Sequence, residues 1–231
     1  MLRYGNKQDL AITHICKEFG GVWEDTIEAY NEAEGKHLLR LYLITLRPSV
    51  MRKGQRTMKL IEPAAEYAQQ ISAYRQAFLD CGDSMDGTGG LRRMEDPEMW
   101  VEHCRLCKDP GSVPEGLVPA TQYMLVREED GKIVGMLQIR HFLNDYLAAF
   151  GGHIGYSVAP DERRKGYASL MLSTALPRCR ELGLDRVLIT CIKGNEGSRR
   201  TILRNGGVYE NTVFEPDEKV YLERYWIDLN D

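Results

Sequence analysis

The sequence predicts an α+β fold of three layers, a mixed and mostly antiparallel sheet flanked by helices. Three observations predict it. Short apolar runs recur between turn signals from residue 58 to the C-terminus, four helical patterns are interspersed among them, and one strand runs through a tight turn directly into a helix at the centre.

The elements follow in order. In residues 1–57, Ile12, Ile15, Phe19, Val22, Trp23, Ile27 and Tyr30 recur at three- and four-residue steps, which suggests an amphipathic helix weakened or split at Gly20-Gly21. Leu38 to Leu46 is apolar and fits helix or strand. Arg47-Pro48 to Thr57 reads as a basic, polar linker. The first stretch is therefore taken as an N-terminal extension of helical segment plus linker, and residues 58–231 as a self-sufficient domain. In that domain Met58 to Ile61 is a short strand. Ala64 to Leu79 is a helix with Tyr67, Ile71, Tyr74 and Phe78 on one face. Cys81 to Gly90 is a loop, and Pro97 to Lys108 a second helix. Gln122 to Arg127 and Ile133 to Arg140 are strands joined by a turn carrying the Asp130-Gly131 signal. His153 to Val158 is a strand that passes into a helix from Gly166 to Leu182. Arg186 to Cys191 is a strand, Glu196 to Asn205 a short helix, and Val208 to Val213 and Lys219 to Trp226 close the domain as strands. The order is β-α-α-β-β-β-α-β-α-β-β.

Charge and composition exclude some functions. The first 57 residues carry 9 Lys and Arg against 7 Asp and Glu, whereas residues 58–231 carry 21 against 27. An acidic domain is a poor non-specific binder of nucleic acid, whose phosphates call for a basic face. No apolar run reaches the ~18–20 residues of a membrane span. Asn6 to Asp9 occupy the place of a signal peptide's apolar core. A cytoplasmic location is expected, with the six cysteines reduced.

The stretch that carries chemistry is HIGYSVAPDERRKGYA, His153 to Ala168. A strand ends at Val158, Pro160 and Asp161 turn the chain, and Arg163-x-x-Gly166-x-Ala168 opens a helix. Such a loop exposes backbone N–H groups at the positive end of a helix, which favours an anion, best a diphosphate. Gly166 allows close backbone approach, and Arg163, Arg164 and Lys165 add charge. Neither a Walker GxxxxGK loop nor a dinucleotide GxGxxG occurs. The bland alternative is a solvated basic helix start.

In its spacing the stretch resembles the acetyl-CoA signature of the GNAT acyltransferase superfamily, Arg/Gln-x-x-Gly-x-Gly/Ala after a strand ending in Val-x-Pro, and the element order is similar to that fold. GGHIGYSVAPDERRKGYA, LQIRHFLN and VLITCIKGNEGSRRTILRNGG also resemble a bacterial branch of acetyltransferases without a general substrate assignment. The resemblance covers about residues 58–229. It implies acetyl-CoA as cosubstrate, with pantetheine lying between the strand before the phosphate loop and its parallel neighbour. By resemblance the backbone of Tyr156, Ser157 and Val158 pairs with the pantetheine amides, and the Val158 amide faces the thioester oxygen. Arg163, Arg164, Lys165, Gly166, Tyr167 and Ala168 hold the diphosphate, and Asn195 and Ser198 contact the cofactor. Asn195 equally suits a helix N-cap.

One departure stands out. Seven residues after that Asn, where many members carry a Tyr that protonates the leaving thiolate, this chain has Ile202. Tyr209 and Tyr156 are candidate substitutes. His153 and His141 are candidate bases, since imidazole titrates near neutrality; alternatively His141 and Asn144 fix a loop and His153 packs in place. His141 and Asn144, with Arg140 and Asp145, are also candidates to line the acceptor pocket.

No metal is expected. His103-Cys104-x-x-Cys107 is half a zinc site without a second half at usable spacing, and the Asp83–Asp86 loop lacks the closing Glu of a calcium loop. Asp80, Asp83 and Asp86 read either as attractors for an amine or as an ordinary polar loop. The expected function is acetyl transfer from acetyl-CoA to a primary amine of a small molecule or peptide, by direct attack in a ternary complex. An acyl-CoA sensor without turnover is the alternative, favoured by Ile202. A toxin-like acylase of charged transfer RNA is disfavoured by the acidic domain. A homodimer is expected from the resemblance alone.

Overall fold

The computed structural model describes the backbone of residues 10–19, 22–31 and 39–41 and the whole of residues 57–230. The chain divides into two compact units, 1–55 and 56–231. In the first, β1 (Leu10–Phe19), β2 (Val22–Asn31) and β3 (Leu39–Leu41) form an antiparallel sheet in that order. The helix expected over Ile12 to Tyr30 is thus two paired strands, with Phe19 opposite Val22. Physically, β-branched Ile12, Thr13, Ile15, Val22, Thr26 and Ile27 prefer a pleated strand, and two glycines between two apolar runs are a hairpin signal. The expected basic linker lies, but for Thr57, outside the described residues.

The second unit has the predicted order. It contains β4 (Met58–Ile61), α1 (Ala68–Cys81), α2 (Pro97–Lys108), β5 (Ala120–Arg127), β6 (Ile133–Arg140), β7 (Ile154–Val158), α3 (Tyr167–Glu181), β8 (Arg186–Ile192), α4 (Glu196–Arg204), β9 (Val208–Glu215) and β10 (Val220–Asp228). One sheet runs β4-β5-β6-β7 and another β8-β10-β9, with neighbouring strands antiparallel throughout. Alternation along β5 and β6 sorts side chains to two faces. Met124 and Met136 join Ile71, Tyr74, Phe78 and Trp100 of α1 and α2. Tyr123, Leu125, Leu137 and Ile139 join Met171, Leu172 and Ala175 of α3 and Ile202 of α4. Covered on both faces, β5 is buried at all eight positions, the pattern of a central strand. Asp96 caps α2 by accepting from the Glu98 and Met99 amides, with Pro97 at the first helical position. Among the described residues no helix is long and apolar enough to cross a membrane.

Candidate active site

The two sheets of the domain meet at one point. His153 donates its backbone N–H to the Leu188 carbonyl at 2.7 Å, and the Leu188 N–H donates to His153 Nδ1 at 2.9 Å. Beyond that point β7 and β8 part. On its other side β7 pairs with β6: Arg140 N–H donates to His153 O, and Ala159 N–H to Val134 O. An antiparallel ladder alternates hydrogen-bonded and non-bonded pairs. Residues 155 and 157 therefore turn their backbone groups to β6, and Ile154, Tyr156 and Val158 turn theirs to the gap. The Tyr156 and Val158 amides have no partner among the described residues.

The chain then enters the predicted loop. A 3-10 turn spans Pro160–Glu162, and α3 starts behind Gly166 with no side-chain cap. No side chain therefore competes at the positive end of this 15-residue helix, an arrangement that attracts an anion. Gly166 has φ +86°, and a Cβ there would meet nothing within 4 Å. Its backbone conformation, not crowding by the protein, is what favours glycine. Arg164 adopts φ 62° despite its side chain.

The basic triplet is not three free charges. Arg163 Nη1 pairs with Asp83 at 2.7 Å, its Nε donates to Val158 O at 3.3 Å, and its guanidinium lies over the Phe78 ring. Arg163 holds the Asp83 carboxyl below its usual range. Lys165 pairs with Glu162 at 2.8 Å. Glu162 is only 4% exposed and also meets Arg127 at 3.1 Å and Lys132 at 3.1 Å. Burial alone would raise this carboxyl, but Lys165, Lys132 and Arg127 outweigh it and hold it at about 2. Sequence reasoning missed this anchor; a lone Arg127 at the end of an apolar strand was its faint signal. Arg164 is the member of the triplet without an ion pair among the described residues. Tyr167 and Ala168 form the first turn of α3, where Tyr167 is buried.

Tyr156 and Ser157, adjacent on β7, reach opposite faces. The Tyr156 hydroxyl lies 2.8 Å from Ser198 Oγ on α4, and burial pushes the phenol up to about 12. Ser157 Oγ donates to Asp86 O at 2.7 Å and sits 3.1 Å from the Tyr74 hydroxyl of α1. Asn195 accepts from the Ser198 amide at 3.1 Å and caps α4. Ile202 is fully buried. The loop Ser84–Gly90 crosses this part of β7, with Gly87 packed on Gly155.

Four other candidates stand elsewhere. Burial, with Arg140 nearby, lowers His153 to about 4, and its Nδ1 lone pair is taken by Leu188; it fastens the sheets and is a poor base. Tyr209 is on β9, separated from β8 by β10, so it lies about 10 Å from the gap at ~4.8 Å per strand; its hydroxyl sits 2.9 Å from Thr212 Oγ1. His141 Nε2 lies 2.8 Å from Thr121 Oγ1, and Asn144 Oδ1 accepts from the Leu147 amide at 2.9 Å. Both serve the loop after β6. Cys104 and Cys107 pack on α2 as buried side chains.

Comparison with known proteins agrees with this geometry. A family model described as the acetyltransferase (GNAT) family matches residues 92–206. No curated protein sequence matches the chain significantly. Among solved structures, the ribosomal-protein-S5-alanine acetyltransferase of Vibrio fischeri is 18% identical, with 75% of this chain and 94% of that chain covered and a TM-score of 0.58. The microcin C7 self-immunity acetyltransferase MccE, in complex with acetyl-CoA and AMP, is 20% identical over 80% of this chain and 99% of its own, at 0.56. Mycobacterium smegmatis RimJ, in complex with CoA-disulfide, is 21% identical over 74% and 81%, at 0.55. At such identities the likeness is one of fold. The matched segment runs from the loop after α1 to the end of α4 and includes the β7–α3 loop; with that match and that fold, the chain belongs to the GNAT family of acetyltransferases.

Proposed function

We propose that this acetyltransferase moves the acetyl group of acetyl-CoA to a primary amine by direct attack. The observation that carries the reading is the gap between β7 and β8. The free amides of Tyr156 and Val158 line it, and it lies beside the uncapped start of α3. Pantetheine amides would continue the β7 ladder, the diphosphate would take the α3 amides with Arg164, and the Val158 N–H would face the thioester oxygen. MccE was solved with acetyl-CoA on a similar fold, which supports the choice of donor. The amine attacks the thioester carbon, the C–S bond breaks, and the CoA thiolate leaves. The amine's proton goes to water.

Tyr156 is our candidate for stabilising the departing sulfur in place of the tyrosine that Ile202 lacks. A phenol pushed up to about 12 is a weaker acid than a thiol. It therefore donates a hydrogen bond to the thiolate and keeps its own proton. Tyr156→Phe should lower kcat about 10- to 100-fold with acetyl-CoA affinity unchanged. Calorimetric titration with acetyl-CoA, with ATP as control, tests the donor site; absence of saturable binding overturns the proposal. A sensor without turnover is the second reading, favoured by buried Ile202. Thiol release in the presence of any amine decides against it. The homodimer is part of the same proposal, and sizing in solution tests it.

A further inference from the structure

Gln138 and Arg140 stand two residues apart on β6 and share the α1–α2 face with Met136. They line an open cavity of about 350 Å³, walled by the Ser84–Gly90 loop, by Arg92 and Arg93, and by Glu218 from the turn before β10. Arg140 Nη1 donates to the carbonyls of Gly151 and Gly152 at 2.9 and 3.0 Å, which fixes the guanidinium. Its Nε–Nη2 edge has no partner among the described residues, and no carboxylate there pairs with it. The Gln138 side-chain amide has none either. The Nε–Nη2 edge is the fork that binds both oxygens of a carboxylate. A cation drawn into the protein without a counter-ion is costly. Burial accordingly pulls this guanidinium below its ordinary value, and Asp86 and Tyr146 only partly oppose it.

The place is suited to an acceptor. A Cβ on Gly155 would lie 3.8 Å from Arg140 Nη2, and Gly155 directly precedes Tyr156, whose amide faces the gap. An anion held by Arg140 thus sits beside β7, two residues of strand (about 7 Å) before the Val158 amide to which the thioester oxygen is assigned above. The lining charges are Arg92, Arg93 and Arg140 against Asp86 and Glu218, an excess of one positive charge that matches a monoanion better than a dianion.

We infer that the acceptor is a small amino carboxylate, whose carboxylate is bound by Arg140 and Gln138 while its amine points to β7. The inference rests on the acetyl-transfer reading above. The test uses the full chain with acetyl-CoA and a thiol-release assay. Each of a panel of L-amino acids is compared with its own carboxamide, in which the amine is kept and the charge removed, and with its aminophosphonate, a dianion. Polyamines are the cationic control. The expected result is a kcat/KM at least tenfold higher for some acids than for their carboxamides, with phosphonates below carboxylates. Arg140→Gln should bring the acid-to-amide ratio near one without changing acetyl-CoA affinity. Gln138→Ala, which removes an amide without partners, should cut the ratio about threefold or more, and decides the matter if Arg140→Gln does not fold. Carboxamides or polyamines used as well as the acids, or phosphonates preferred, overturn the inference and leave acetyl transfer standing. If no amine is turned over, N-acetyl amino acids and their amides are titrated into the protein with and without CoA. Acid-selective binding supports the inference, and its absence overturns it. Failure to bind acetyl-CoA strikes the donor site alone, because the titration without CoA reads the anion site independently.

Discussion

Replacing Gly87 by alanine tests how closely the Ser84–Gly90 loop is seated on β7. Gly87 has φ +69°, and an added Cβ would fall on the backbone of Gly155 and 2.5 Å from the Tyr156 nitrogen. Those atoms are held by the β6–β7 ladder and cannot swing aside as a side-chain end would. The left-handed conformation costs a residue with a Cβ about 1–2 kcal/mol, and forcing a methyl against packed backbone adds about 1–3 kcal/mol. Gly87→Ala should therefore destabilise the domain by about 2–5 kcal/mol. Gly82→Ala is the matched control. Its φ is +68°, with nothing within 4 Å of the added atom, so it carries only the first cost, about 1–2 kcal/mol. The assay is urea unfolding followed by tryptophan fluorescence. With a slope of ~2 kcal/mol per molar urea, the Gly87→Ala midpoint should fall by about 1–2.5 M and that of Gly82→Ala by less than about 1 M. Equal midpoints for the two variants would refute the claim that the loop rests on the strand.

Gly166→Asp sets a negative charge at the uncapped start of α3 and should weaken acetyl-CoA more than 100-fold by calorimetry. Arg164→Ala should cost about 1–2 kcal/mol of acetyl-CoA binding, the worth of one charge-assisted contact. Lys165→Ala should cost less there, since that cation already serves Glu162. The Glu162 carboxyl is depressed from ~4.3 to about 2, so the linked stability, about 3 kcal/mol, is complete above pH ~5 and is lost as pH falls towards 2. Glu162→Gln should remove most of that term at pH 7 and flatten the acid limb of stability against pH. His153 runs from ~6.5 unfolded to about 4 folded, so its contribution is present above pH ~6.5 and is lost as pH drops to 4. His153→Gln should remove that loss while leaving the acid-side limb of the kcat/KM profile in place; a lost acid-side limb would restore His153 as a base.

The sequence was most legible where local chemistry decides the outcome. The Asp130-Gly131 turn, Pro97 after Asp96, and the Val158–Gly166 passage from strand to helix each carry their own signals, and the structure has the corresponding elements. The N-terminal stretch misled because isoleucines three apart serve a helix period, while the β-branched content and the glycine pair serve a hairpin. At the site, backbone roles could be read from the motif, but side-chain roles could not. Arg163 and Lys165 look like free cations along the chain, yet their partners Asp83 and Glu162 are settled by folding. His153 has the right chemistry for a base and the wrong neighbour, the Leu188 amide. Arg140 gave no sign that its partners would be carbonyls instead of an acid.

The opposite attachments of Tyr156 and Ser157 have a thermodynamic consequence. Neighbouring residues of one short strand are tied to different layers, Tyr156 to α4 and Ser157 to α1 and the Asp86 loop. A molecule that moves the loop is felt at Ser157, and through one peptide unit at Tyr156, whose backbone faces the gap. The two sides of β7 then cannot fill independently. Whatever factor a molecule in the gap applies to affinity at the loop must be returned in equal measure. Donor and acceptor binding should accordingly be cooperative, and the Ser157→Ala variant, which removes the loop's hydrogen bond to the strand, should bring that factor closer to one.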